Sequence, residues 1–379
     1  MMHKKQKWII AVLAGFALIG AWSSVQYLVE KTRKMIEQTH TRSASRLFLS
    51  MAGYTADAEI TIRSLDDALA KRDALRRYIF GPSFPGGSAT VAKLGADDLP
   101  DELRIHGAHA AFKMTIPLMH GFDSQAYVLV PGQKHNGKAV ILHQGHGGPY
   151  SLTMDAQGRD IRDFLRKGYV IAVYKMPLYG AGASPAYLEI GGGRIPQHYL
   201  SHDMFPYLDF ASGCYLRLFI EPVIVGINTL ESYFHVKDVR MIGLSGGAWT
   251  TTVAAAIDPR ITVSIQAAGS YPLAFRLLRE FQHNRGDAEQ IDPLLLKIAG
   301  YLDLYILGAL EKGRKQVQVL NESDPCCFRG DLWKLYASSV THHLSRLSGG
   351  TFHVCYDQAN TKHNISEKAY AEIYDVFDR

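Results

Sequence analysis

The stretch Val239–Ile257, VRMIGLSGGAWTTTVAAAI, constrains this chain more than any other. A β-type run, Val239–Gly243, passes almost at once into the small-residue, helix-compatible segment Gly246–Ile257. A backbone can turn that sharply from strand to helix only if the residues two before and two after the corner are tiny, so that the elements can approach. Gly243 and Gly247 meet that demand and leave Ser245 on the corner. The fold must therefore offer a buried strand with a helix packed directly behind it.

The rest of the chain repeats that alternation. Ala111–Met119 and Gln125–Val130 read as a hairpin pair around His120-Gly121. Lys138–His143 (KAVILH) is continuously apolar, as strands buried on both faces are. A helix is expected near 154–167, a strand at Tyr169–Tyr174, a helical region around 208–234, and further strands at 261–268, 316–321 and 351–356. Strands separated by helical sequence imply an α/β class: a mostly parallel sheet with helices on both faces. Residues 272–312 exceed what one crossover needs and are expected to form a helical cap over a site. Residues 35–80 read as helix, with Ile62, Leu65 and Leu69 on one face, and stop at the breaker cluster Gly81–Ser88. The sequence thus divides into 1–34, a helical spacer 35–98 and a body 99–379.

A serine hydroxyl becomes a useful nucleophile only when a base takes its proton and an acid orients the base. Downstream of Ser245, the strand Lys315–Asn321 is left through Glu322-Ser323-Asp324-Pro325, and Pro325 enforces a turn that places Asp324 at the strand's carboxyl edge. The next strand ends in Asp357 and a loop reaching His363, after which Ser366 caps the final helix. Ser245, Asp324 and His363 are the candidate nucleophile, acid and base. Glu322 and Asp357 are rival acids. His342 and His343 are expected at the surface and His353 as a packed strand residue. Asp303, within the expected cap, reads as a solvated or capping residue. A developing oxyanion needs donors: the backbone N–H of Gly246 is one, and the loop His143-Gln144-Gly145-His146-Gly147-Gly148 supplies another, from His146 or alternatively Gln144. His143 and His146 lack a third metal ligand at recognisable spacing, so neither metal nor organic cofactor is expected. Tyr150, Tyr179, Trp249, Tyr271 and Phe275 are placed to line a pocket.

These residues resemble the α/β-hydrolase superfamily over roughly 110–379, through GLSGG at 243–247, HQGHGG at 143–148, Asp324 after one strand and His363 after the last. Asp123–Pro131 (DSQAYVLVP) and Met176-Pro177-Leu178-Tyr179-Gly180 are similar to acetyl xylan esterase, cephalosporin deacetylase, dienelactone hydrolase and prolyl oligopeptidase-type catalytic domains. The resemblance implies an eight-stranded, mostly parallel sheet and hydrolysis of a carboxylic ester, such as a short acyl group on a carbohydrate or small molecule, through an acyl-enzyme. An acyltransferase, a serine peptidase and a non-catalytic anchored scaffold are the alternatives. His146 departs from the aromatic residue often found in the esterase oxyanion loop, and Asn321–Phe328 matches no stretch tied to an activity.

Charge and the amino terminus settle the remaining classes. The formal charge is +5, but residues 1–34 carry six Lys/Arg and one acid, which leaves thirty-five of each sign in the rest. A neutral body lacks the basic footprint of a nucleic-acid binder. Residues 8–29 are apolar enough to span a bilayer: about 22 helical residues reach roughly 33 Å against a core of ~30 Å. The expectation is an N-terminal hydrophobic helix that anchors a catalytic domain outside the cytoplasm, with a cleaved signal peptide and secretion as the rival. Four cysteines form no disulfide framework or zinc pattern. One bridge in an oxidising compartment stays open, and the adjacent Cys326-Cys327 reads as including a buried apolar thiol rather than as a redox pair.

Overall fold

The computed structural model describes residues 53–104, 107–154, 158–180, 182, 184–276, 278, 286–347 and 349–378. The hydrophobic segment expected at 8–29 lies outside them. Among the described residues no helix is long and apolar enough to cross a membrane. Thr55–Leu277 and Asn284–Arg379 form one compact unit, to which everything below belongs.

Nine strands build the main sheet: β1 (Thr90–Leu94), β2 (Ala108–Pro117), β3 (Asp123–Pro131), β4 (Lys138–His143), β5 (Val170–Tyr174), β8 (Asp238–Leu244), β9 (Ile261–Ala267), β10 (Lys315–Asn321) and β11 (Thr351–Asp357). The short strands β6 (Tyr187–Ile190) and β7 (Gly193–Pro196) form a separate hairpin. The spatial order is β1-β2-β3-β5-β4-β8-β9-β10-β11. β1, β2 and β3 run antiparallel to their neighbours, and from β5 onward every pair is parallel.

Alternation along the central strands sends side chains to two cores. Val140, Leu142, Ile171 and Val173 pack on one face with Phe164 and Leu165 of helix α2 (Arg159–Arg166) and Ile373 and Phe377 of the last helix. Ala139, Ile141, Val170 and Ala172 pack on the other with Val223, Ile227 and Leu230 of helix α3 (Arg217–Ser232) and Ala254 and Ala255 of helix α4 (Gly246–Ile257). Strands apolar on both faces suit only this sandwiched position.

Three expectations change. Among the described residues the sheet has nine strands rather than eight, because Thr90–Leu94, read as part of the helical spacer, pairs with β2. The spacer's helix, α1 (Leu65–Phe80), is fixed to the catalytic unit: buried Arg72 donates from Nε to Ala256 O at 2.9 Å and pairs with Glu311. Much of the expected cap is core as well. Helix α5 (Tyr301–Gly308) is buried at every residue and packs on α4, because its apolar residues run all round the helix. Its Asp303 is no solvated cap residue; fully buried, it accepts from Thr61 N at 2.8 Å and Ile62 N at 3.2 Å and holds the segment before α1.

The strand order also explains where a site must lie. β4 sits mid-sheet; the chain passes from it to β5 on one side and later to β8 on the other. Such a reversal opens a crevice at the carboxyl ends of the strands. His143 pairs with Gly243 across it, so the loop after β4 and the corner after β8 are neighbours.

Candidate active site

Ser245 stands at the end of β8 with φ 58° and ψ −125°, a conformation that L side chains rarely adopt. The corner works because of the glycines around it. A Cβ on Gly243 would run into Gly247 O, and one on Gly247 would run into His143 O. Behind Ser245, Gly246 opens α4, and as its first residue keeps an N–H without an intrahelical acceptor.

Asp324 follows β10 and is fully buried. Its Oδ1 accepts from Cys326 N at 2.8 Å and Cys327 N at 3.0 Å, and its carboxylate meets His363 Nδ1 at 2.9 Å through Oδ2 and 3.1 Å through Oδ1. The His363 side chain is 23% exposed. The choice among acids is thereby made by geometry: Asp357 instead accepts from Ala359 N, Asn360 N and Ser366 Oγ, and burial, which would raise its pKa, is outweighed by these bonds. Glu322 offers its backbone N–H to Asp357 O and makes no bond to His363. Among the histidines, His342 is exposed and His343 lies 3.3 Å from Asp57. His353, expected to pack, is 62% exposed on edge strand β11. Ser245 Oγ makes no hydrogen bond to His363, so the structure joins acid to base and sets the serine on the same sheet edge.

The loop after β4 crosses the nucleophile closely. A Cβ on Gly145 would come within 2.8 Å of Ser245 Cβ and 2.9 Å of Gly246 N. Gln144 N–H donates to Tyr174 O at 2.9 Å and Gly145 N–H to Gln144 Oε1 at 2.9 Å. Both are committed, which removes Gln144 as an oxyanion donor and leaves His146 as the next N–H along the loop. The ring of His146 lies against Gly246, where an added Cβ would meet Cε1 at 2.9 Å.

Of the expected pocket aromatics, only Tyr179 fits: it is 45% exposed, its ring edge-on to His146 at 5.0 Å. Tyr150, Trp249, Tyr271 and Phe275 are core residues. Trp249 packs edge-on to Phe219, and the Tyr271 hydroxyl donates to Arg329 O and Gly330 O. Of the adjacent cysteines Cys327 is buried, as expected, but its sulfur is joined to that of exposed Cys326 rather than standing as a free thiol.

Two features went unread in the sequence. Asn321 Nδ2 donates to Lys362 O and Asn364 O, each at 3.1 Å, bracketing His363. An asparagine at a strand end is too common to be singled out without the fold. The other is His202, whose ring nitrogen Nδ1 lies 3.0 Å from His146 Nε2. Burial pulls both imidazoles toward the neutral form, and His202 further lowers His146. His202 itself is held above the usual range because the Glu289 carboxylate outweighs its burial.

No family model matches the sequence, and no curated protein matches it. Among solved structures the chain is similar to acetyl xylan esterase 1 from Thermoanaerobacterium sp. JW/SL YS485, at 14% identity and TM-score 0.53, over 82% of this chain and 92% of that one. It is also similar to the glucuronoyl esterase from Solibacter usitatus, at 14% identity and TM-score 0.50, over 82% and 91%. Identities this low speak for fold alone. The fold is that of the α/β-hydrolases, as the sequence resemblance implied.

Proposed function

We propose that the chain is a serine-dependent carboxylic ester hydrolase acting on a short acyl group carried by a carbohydrate or small molecule. The observation that carries this is the buried Asp324 bonded to His363 Nδ1, at the sheet edge where Ser245 occupies a strained strand-to-helix corner. The esterase names of the structural neighbours support the same class. Ser245 Oγ attacks the ester carbonyl while His363 Nε2 takes its proton, and Asp324 stabilises the imidazolium. The carbonyl oxygen, now anionic, accepts from the N–H groups of Gly246 and His146, each worth about 3–4 kcal/mol of barrier. His363 returns the proton to the departing alcohol. A water deprotonated by His363 then attacks the acyl-Ser245 ester, and His363 gives that proton to the departing Ser245 Oγ as the acid is released.

Part of the same proposal is that the N-terminal segment carries this domain across a membrane and leaves it tethered or secreted outside the cytoplasm. Fractionation of cells expressing the full chain tests that part: recovery of the chain in the cytosol would refute it. The chemistry is tested by a fluorophosphonate probe and p-nitrophenyl acetate. Labelling of wild type but not of Ser245→Ala, with turnover lost in the variant, is expected. Undiminished turnover in Ser245→Ala would overturn the reading.

A further inference from the structure

His146, His202, Asp287 and Glu289 come from three separate segments and turn their ligand atoms into one small volume, all within 4.8 Å of one another. His146 Nε2 lies 3.0 Å from His202 Nδ1 and 3.1 Å from Asp287 Oδ2, and His202 Nδ1 lies 3.4 Å from Glu289 Oε1. Around a tetrahedral ion with bonds of about 2.0–2.2 Å, ligand atoms stand roughly 3.3–3.5 Å apart. Three edges of this cluster therefore fall within a few tenths of an ångström of that spacing.

Glu289 supplies an independent observation. It is fully buried, neither of its carboxylate oxygens makes a hydrogen bond, and among the described residues no Lys or Arg lies within 4.0 Å of it. Its one charged neighbour among the described residues is the His202 imidazole of the same cluster. A carboxylate buried with no hydrogen bond and no Lys or Arg costs several kcal/mol, which a cation held between the two groups would offset. His202 shows the second mark of a ligand. It is 4% exposed, and its Nε2–H donates to Pro177 O at 2.9 Å, which fixes the ring and aims Nδ1 into the cluster. Metal-bound imidazoles are typically held by such a bond from the other ring nitrogen.

We propose that these four side chains bind one divalent transition-metal ion of the zinc class. Two imidazole nitrogens with two carboxylate oxygens suit a borderline ion, whereas Ca²⁺ and Mg²⁺ prefer all-oxygen shells and Cu(I) prefers sulfur. The two carboxylates balance the ion's charge. Four protein ligands close a tetrahedral shell, as in structural sites, so the ion's role is to hold the loop that carries His146. Because the His146 ring rests on Gly246, fixing the ring fixes the backbone that crosses Ser245. His146, through its side chain, is then a positioning residue. Metal binding is measured without substrate, so this inference and the esterase reading can fail separately.

The test uses the full chain stripped with a chelator and titrated calorimetrically with Zn²⁺, with Mg²⁺ and Ca²⁺ in parallel. One Zn²⁺ per chain is expected, with far weaker binding of the other two, a Zn²⁺-dependent rise in Tm, and a visible tetrahedral spectrum after Co²⁺ substitution. Glu289→Gln keeps the shape of the side chain and should weaken Zn²⁺ binding by at least about 10–100-fold. That variant should still fold without metal, because the side chain keeps its shape, while its Zn²⁺-induced Tm rise disappears. Asp287→Asn, at the 43% exposed edge of the cluster, carries the same expectation for affinity with no burden on folding. Absence of a one-to-one Zn²⁺ site would overturn the proposal, as would Zn²⁺ affinity unchanged in both variants or Mg²⁺ binding as tight as Zn²⁺.

Discussion

The corner that presents Ser245 and the pair that would serve it are built in opposite ways. Five consecutive residues, Gly243–Gly247, form the first, and the φ of 58° at Ser245 is imposed by β8 and α4 on either side. Asp324 and His363 stand 39 residues apart and meet only because β10 and β11 are adjacent and parallel. The local corner depends on absent side chains, and the remote pair on hydrogen bonds. A corner of that kind should fail by steric collapse, and a pair of that kind by loss of alignment with the fold intact.

Asp324→Asn breaks the remote pair most sharply. Asparagine can still accept from Cys326 N and Cys327 N, but it turns an amide donor toward His363 Nδ1 and favours the wrong tautomer. A fall in kcat of about 10⁴-fold with an unchanged circular dichroism spectrum is expected. Gly247→Ala strikes the local corner instead. Its Cβ would collide with the backbone of β4, so stability should drop by about 3 kcal/mol or more along with activity, read from urea unfolding. Gly147→Ala is the control, since nothing lies within 4 Å of a Cβ there; with φ 81° it should lose only about 1 kcal/mol.

Beneath both regions, His143 is fully buried, stacked on Tyr174, and burial lowers its pKa to about 4. The unfolded chain, with an ordinary imidazole near 6.5, binds the proton first as pH falls. The stability this residue permits is therefore complete above about pH 6.5, declines between 6.5 and 4, and is flat below, a loss of about 3 kcal/mol. His143→Gln should flatten that part of the pH dependence of the unfolding free energy. Smaller than the loss at Asp324 is that of Asn321→Leu, which frees the carbonyls of Lys362 and Asn364. It should lower kcat roughly 10-fold, a loss of about 1–2 kcal/mol of alignment, while leaving KM nearly unchanged.

The parts legible in the sequence are those whose cause is local. KAVILH reads as a doubly buried strand because each residue is apolar, and GLSGG reads as a corner because the clash it avoids is between near neighbours. Asp324 and His363 were legible because each follows a strand of a recognisable sheet. The aromatic pocket was not: Tyr150, Trp249 and Tyr271 were placed by position, and burial depends on what packs against them from elsewhere. The strand at Thr90–Leu94 is illegible for the same reason, since its exposed edge pattern carries little apolar signal and, among the described residues, it pairs only with β2.

The sequence by itself determined the α/β class, the strand-to-helix corner at Ser245, and that candidate acids and a histidine follow the last strands, because backbone sterics and hydrophobic periodicity act over a few residues. Only the tertiary structure decided that Asp324 rather than Asp357 faces His363, that α5 is core, and that His146 meets His202, Asp287 and Glu289. Those outcomes turn on distances of about 3 Å between groups far apart in the chain, which sheet order and packing set and no local pattern encodes.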